Sequence, residues 1–95
     1  MARQVAQTVL ERIESQDAYS HIALDVELDK SSLSPQDRGL ATEIVYGTLT
    51  WRRALDNVLD EFVDGGIGRL EQSVLIAMRV ATYQLLFLDR IPEHA

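Results

Sequence analysis

Apolar and polar positions alternate along the chain in a way that predicts four helical stretches. Ala2, Val5, Ala6, Val9, Leu10 and Ile13 recur at i, i+3 and i+4 spacing, with Arg3, Gln4, Gln7, Glu11 and Glu14 opposite, so residues 2–15 form a first amphipathic helix. Ser15-Gln16-Asp17 interrupts it as a polar break. A second helix is expected from Ser20 to Leu28, with Ser20 as its N-cap. Ile22 and Val26 line one side of it and Leu24 and Leu28 another, which predicts a segment wedged between neighbours. Asp29-Lys30-Ser31-Ser32 reads as loop.

Ser34-Pro35-Gln36-Asp37 is the clearest helix start. The serine can accept orphan backbone N–H groups, proline suits a first helical position, and the aspartate complements the positive end of the helix dipole. From there Leu40, Ala41, Ile44, Val45, Trp51, Leu55, Val58, Leu59, Phe62 and Val63 project to one side with no slip of phase. The pattern predicts one long helix from Pro35 to Val63, with Trp51 among its core residues. Gly47 costs roughly 1 kcal/mol against alanine in such a helix, and close approach by another backbone is the expected reason for it. Asp64-Gly65-Gly66-Ile67-Gly68-Arg69 follows as a C-cap and tight connection. It lacks the Lys-Ser/Thr pair and preceding strand of a phosphate-binding loop.

Residues 70–88 carry apolar side chains on nearly every side. Val74, Met78, Ala81 and Leu85 form one stripe, and Ile76, Val80, Tyr83 and Phe87 a second on the opposite face. A helix with two stripes is expected to be the surrounded, central rod of a bundle. Arg79 within it argues against a membrane span. Ile91-Pro92-Glu93-His94-Ala95 reads as the opening of a further helix, so the second stripe is expected to lose part of its cover and to invite self-association into a homo-oligomer.

Composition narrows the function classes. A chain of 95 residues with 46% hydrophobic content is one domain, residues 1–95, with enough apolar surface for a core. There is no cysteine, hence no disulfide, thiolate nucleophile or zinc-finger spacing. The N-terminus has no apolar secretory stretch, which makes the cytoplasm the expected location. A net charge of −6 opposes diffuse attraction to nucleic acid. All but one of the nine basic residues are arginine, which favours specific hydrogen-bonded contacts.

Against that background, no Ser/His/Asp set or carboxylate pair forms a catalytic pattern, and no metal or cofactor site is expected. His21 and His94 read as surface or capping residues. Arg79, on so apolar a helix, needs a carboxylate such as Asp37 or Glu43, or else anchors an RNA phosphate or another domain. Tyr46, Thr50, Arg53 and Asn57 share the flank away from the apolar stripe, where they form either a solvated face or a surface for unpaired bases. Arg52 and Arg53 beside Trp51 add basic character.

Three blocks say more when read as text: RQVAQTVL at residues 3–10, DRGLATEIVYGTLT at 37–50 and RVATYQLLFLDRIPEHA at 79–95. Together they resemble the NusB-like domain that opens the Sun-type ribosomal RNA cytosine-C5 methyltransferases. The resemblance implies an all-α, NusB-like helical bundle, truncated, with about four helices present and the C-terminal helices missing. It implies a non-catalytic domain that recognises or docks 16S ribosomal RNA for a downstream methyltransferase domain. That absent domain would bind S-adenosylmethionine and supply the attacking cysteines. In free-standing antitermination relatives, a similar bundle binds RNA and a protein partner through basic residues near the N-terminus, where this chain offers Arg3 and Arg12. The expected RNA or domain contacts are therefore Arg3, Arg12, Tyr46, Arg52, Arg53 and Arg79. Two other roles compete: a free-standing transcription antitermination factor, and a module that only docks other protein domains.

Overall fold

The computed structural model describes residues 1–16 and 19–88. Within them all regular structure is helical: α1 (Ala2–Gln16), α2 (Ser20–Lys30), α3 (Pro35–Thr50), α4 (Arg52–Phe62) and α5 (Gln72–Tyr83), with a 3-10 turn at Ile67–Arg69 and a π-helical turn at Gln84–Leu88. The expected opening of another helix after Ile91 lies outside the described residues.

The centre of the molecule is α1, which packs against α2, α3 and α5. Its predicted apolar face is the buried one, with Ala6 and Val9 fully enclosed, and these meet Ala41, Ile44 and Val45 of α3 in one cluster. The small residues Ala2 and Ala6 leave the helix axes room to approach. Arg12 Nη1 bonds Glu27 Oε1 at 2.8 Å and ties α1 to α2. Arg38 Nη1 donates to the Leu28 carbonyl at 3.0 Å, placing a cation at the C-terminal end of α2.

The segment expected at the centre lies instead on one broad side of the molecule. The Cα atoms span 44 × 38 × 18 Å, and helix axes pack about 8–10 Å apart, so the thin dimension holds roughly two layers. On α5, Ile76, Val80 and Tyr83 are buried, whereas Val74, Ala81 and Leu85 of the other stripe face solvent. It is therefore the first stripe that lies open, not the second. The α-helix begins at Gln72 and widens into a π turn at Gln84, shorter at both ends than predicted. Through that turn Leu85 and Leu86 point outward, while Phe87 and Leu88 remain partly covered.

Two further expectations change. The long helix divides at Trp51, whose φ of −100° and ψ of 13° leave the α region. The Trp51 N–H still bonds the Gly47 carbonyl, and its own carbonyl accepts from Leu55 N–H, so the chain turns without losing these bonds. Beyond the turn α4 packs against α5, and Leu55 and Leu59 are its buried residues. Leu40, Val58 and Phe62, expected in the core, are exposed. In α2, Tyr19 holds the N-cap position with no side-chain cap, and the helix runs on through Lys30. Ala23, Leu24 and Leu28 are its buried residues, while Ile22 and Val26 are open, so α2 buries one face against its neighbours and is not wedged between them.

The start of α3 is as predicted, with Ser34 Oγ accepting from Asp37 N–H at 3.2 Å. The connection after α4 also stands. Gly65 and Gly66 have φ of 84° and 82°, where only glycine is at ease. Asp60 Oδ1 accepts from Ile67 N–H at 2.8 Å and pulls the loop back onto α4.

Candidate functional site

The corner between α3 and α4 gathers the polar side chains that the helical spacing placed on one flank. Thr50, Arg52, Arg53 and Asn57, with Leu49 and Asp56, line a shallow groove of about 480 Å³. Tyr46, one turn earlier on α3, is 40% exposed and lies outside this lining. Arg53 has no acid within ion-pair distance among the described residues, so its planar fork is free for an outside acceptor. A cation, an amide and a hydroxyl beside an exposed phenol can stack on and hydrogen-bond an unpaired base.

Behind the groove sits the cluster that holds the corner together. Arg79 Nε donates to Asp56 Oδ1 at 2.7 Å and Nη2 to Asp56 Oδ2 at 2.9 Å, a two-point pair joining α5 to α4. Its Nη1 reaches Glu14 Oε1 of α1 at 3.5 Å, and that same oxygen lies 2.9 Å from Arg52 Nη2. The predicted pairing of Arg79 is therefore correct in kind and wrong in partner, since neither Asp37 nor Glu43 is involved. With 7% of its side chain exposed, Arg79 is an internal strut that ties α5 to α4 and α1.

The remaining expected contacts scatter. Arg12 is engaged with Glu27. Arg3 lines a separate groove with Gln4, Asp37, Leu40 and Gln84, where an acid accompanies it. Of the six residues singled out in the sequence, Arg52 and Arg53 share this α3–α4 groove, Tyr46 lies one turn before its Thr50 on α3, and Arg79 meets Arg52 in the space behind it.

At the same corner but outside the groove's lining, Tyr83, Phe87 and Trp51 form a ladder of rings, with centroids 5.0 and 5.1 Å apart. Trp51 is thus half-exposed and stacked at the surface, not in the core as expected. The Tyr83 ring occupies the place that a Cβ on Gly47 would take. Close approach is indeed the reason for that glycine, but the approaching group is a side chain rather than a backbone. Burial, with a smaller effect from the Glu43 charge, pushes the Tyr83 hydroxyl above its ordinary pKa of 10.0.

His21 is exposed on α2 beside the Tyr19 ring, as expected of a surface residue; His94 lies outside the described residues. No group of three or more metal-ligating side chains occurs among the described residues. No helix is long and apolar enough to cross a membrane among the described residues. Asp56 and Glu14, which organise the cluster, escaped sequence reasoning because their partners lie on other helices. The one available signal was the unpaired charge of Arg79 itself.

Comparison with known proteins gives a consistent picture. The family model described as "NusB family" matches residues 1–95. A probable ribosomal RNA small subunit methyltransferase B of Synechocystis is 37% identical over 94 residues, covering 99% of this chain and 21% of its own length. One of Bacillus subtilis is 37% identical over 93 residues, covering 98% and 21%. A transcription antitermination protein NusB of Ruminiclostridium cellulolyticum is 28% identical over 92 residues, covering 96% and 63%. The chain thus spans about a fifth of the length of the methyltransferases it is most like among these three. No solved structure matches it significantly.

Proposed function

Because the chain belongs to the NusB family, we propose that it is the RNA-recognition or docking domain of an S-adenosylmethionine-dependent 16S ribosomal RNA cytosine-C5 methyltransferase, working in the cytoplasm and not itself catalytic. The observation that carries this reading is the match of nearly the whole chain to a fifth of two ribosomal RNA methyltransferases, at higher identity than to the antitermination protein. The groove at the α3–α4 corner is the surface we assign to RNA. Arg53 binds phosphate or base edges, Asn57 and Thr50 add hydrogen bonds, and Tyr46 offers a stacking face. The acidic net charge limits this to a local contact, with affinity for the substrate shared with a methyltransferase domain. The open apolar residues of α5 and the π turn, Val74, Leu85 and Leu86, are the surface we assign to that domain. A homo-oligomer through the same surface is the alternative occupant.

Reading the gene beyond Ala95 tests the assignment. An S-adenosylmethionine-binding domain with attacking cysteines is expected there; a stop codon in its place favours the antitermination role and overturns ours. The 28% identity to an antitermination protein, which is covered over 63% of its length, is what keeps that second reading standing.

A further inference from the structure

Thr48 of α3 is 2% exposed, and its hydroxyl oxygen has no protein partner. Other hydroxyls on these helices behave differently. Thr8, Thr42 and Thr82 each donate to the carbonyl four residues back, at 3.1, 2.8 and 2.7 Å. Thr48 makes no such bond, and threonine has a second rotamer in a helix that turns its oxygen away from the backbone. A buried hydroxyl left unpaired is destabilising, because its lost hydrogen bonds to water are not replaced, so a threonine kept this way calls for a partner.

The side chain borders a small, partly open space between α1, α3, α4 and α5. Most of its lining is apolar, Leu10 and Ile76 included, and Thr48, Glu14, Arg52 and Arg79 give it one polar side. It leaves about 10 Å³ for the centre of a water-sized molecule, close to the minimum of roughly 10–15 Å³ for holding one water. An apolar cavity of this size would stay dry, but this one has a carboxylate acceptor, guanidinium donors and a hydroxyl that can do either. The 3.5 Å separation of Arg79 Nη1 from Glu14 is also long for a charge-assisted hydrogen bond, which leaves that donor under-used by its direct partner.

We propose that this space is a specific site for one internal water molecule, which joins the Thr48 hydroxyl to the Glu14–Arg79 pair. The water couples α3 to the ion cluster that already binds α1, α4 and α5. It is a fixed part of the corner, placed directly behind Arg52 at the back of the groove.

A crystal structure at about 1.2 Å or better, at which water and hydroxyl geometry are well defined, tests this. The expected result is one well-ordered oxygen within hydrogen-bond distance of Thr48 Oγ1 and of Glu14 or Arg79. A dry cavity overturns the proposal, as does a Thr48 hydroxyl bonded to the Ile44 carbonyl. Denaturation of Thr48→Val and Thr48→Ser gives an independent reading. The serine variant keeps the hydroxyl and is expected to keep the water, while the isosteric valine strands the Glu14–Arg79 side of the site and lowers the unfolding midpoint below that of serine. A valine variant more stable than both serine and the parent shows that the hydroxyl was merely unsatisfied and overturns the proposal.

Discussion

Replacing Gly47 by alanine sets two effects of opposite sign against each other. In a helix interior the change gains about 1 kcal/mol of propensity. Here, however, the new Cβ lands in the Tyr83 ring, which is 6% exposed and stacked on Phe87. The far end of a ring in open solvent would swing aside at little cost, but this one must move against its neighbour or leave the interior. Overpacking costs about 1–3 kcal/mol, and expelling a buried aromatic forfeits about 1.5–3 kcal/mol. Taking the middle of those ranges against the propensity gain, Gly47→Ala loses about 1 kcal/mol net. Urea denaturation followed by far-ultraviolet circular dichroism measures this directly. The decisive arm is the same change in a Tyr83→Ala background, where the ring is gone and alanine becomes stabilising by about 1 kcal/mol. An alanine that stabilises the parent, or that acts equally in both backgrounds, refutes the reasoning.

Other consequences follow from the same corner. Asp56→Ala leaves the Arg79 guanidinium buried with only a distant Glu14, and should cost about 3 kcal/mol. Arg52→Ala removes a half-exposed pair and should cost less than about 1 kcal/mol; similar losses in the two variants by urea denaturation would contradict the cluster's arrangement. At alkaline pH, an unfolded chain releases the Tyr83 proton near pH 10 while the folded one holds it. Stability from this group is therefore complete below about pH 10 and lost as pH rises through the higher folded value. Thermal unfolding across that range should fall less steeply for Tyr83→Phe than for the parent.

How much of this was legible depended on whether the signal was local. The Ser34-Pro35-Asp37 start and the Gly65-Gly66 turn were readable because capping and left-handed backbone are properties of a few adjacent residues. The core face of α1 was readable because its apolar spacing admits a single stripe. Residues 70–88 misled because two apolar stripes do not state how many layers a fold has. In a molecule about two layers thick, one stripe meets α1, α3 and α4 and the other meets water. The break at Trp51 was hidden by unbroken phase, since the chain turns while keeping its bonds to Gly47 and Leu55. The groove was half visible: Thr50, Arg53 and Asn57 follow from helical spacing. Which arginines stay free does not, because Glu14, Glu27 and Asp56 arrive from other elements.

The claim on which the function rests is that RNA meets the α3–α4 corner. Hydrogen–deuterium exchange of the protein with and without 16S ribosomal RNA measures this in one experiment. The account predicts slowed exchange centred on residues 46–57, diminished in an Arg53→Glu variant. Protection confined to other segments, or none at low salt, would contradict it.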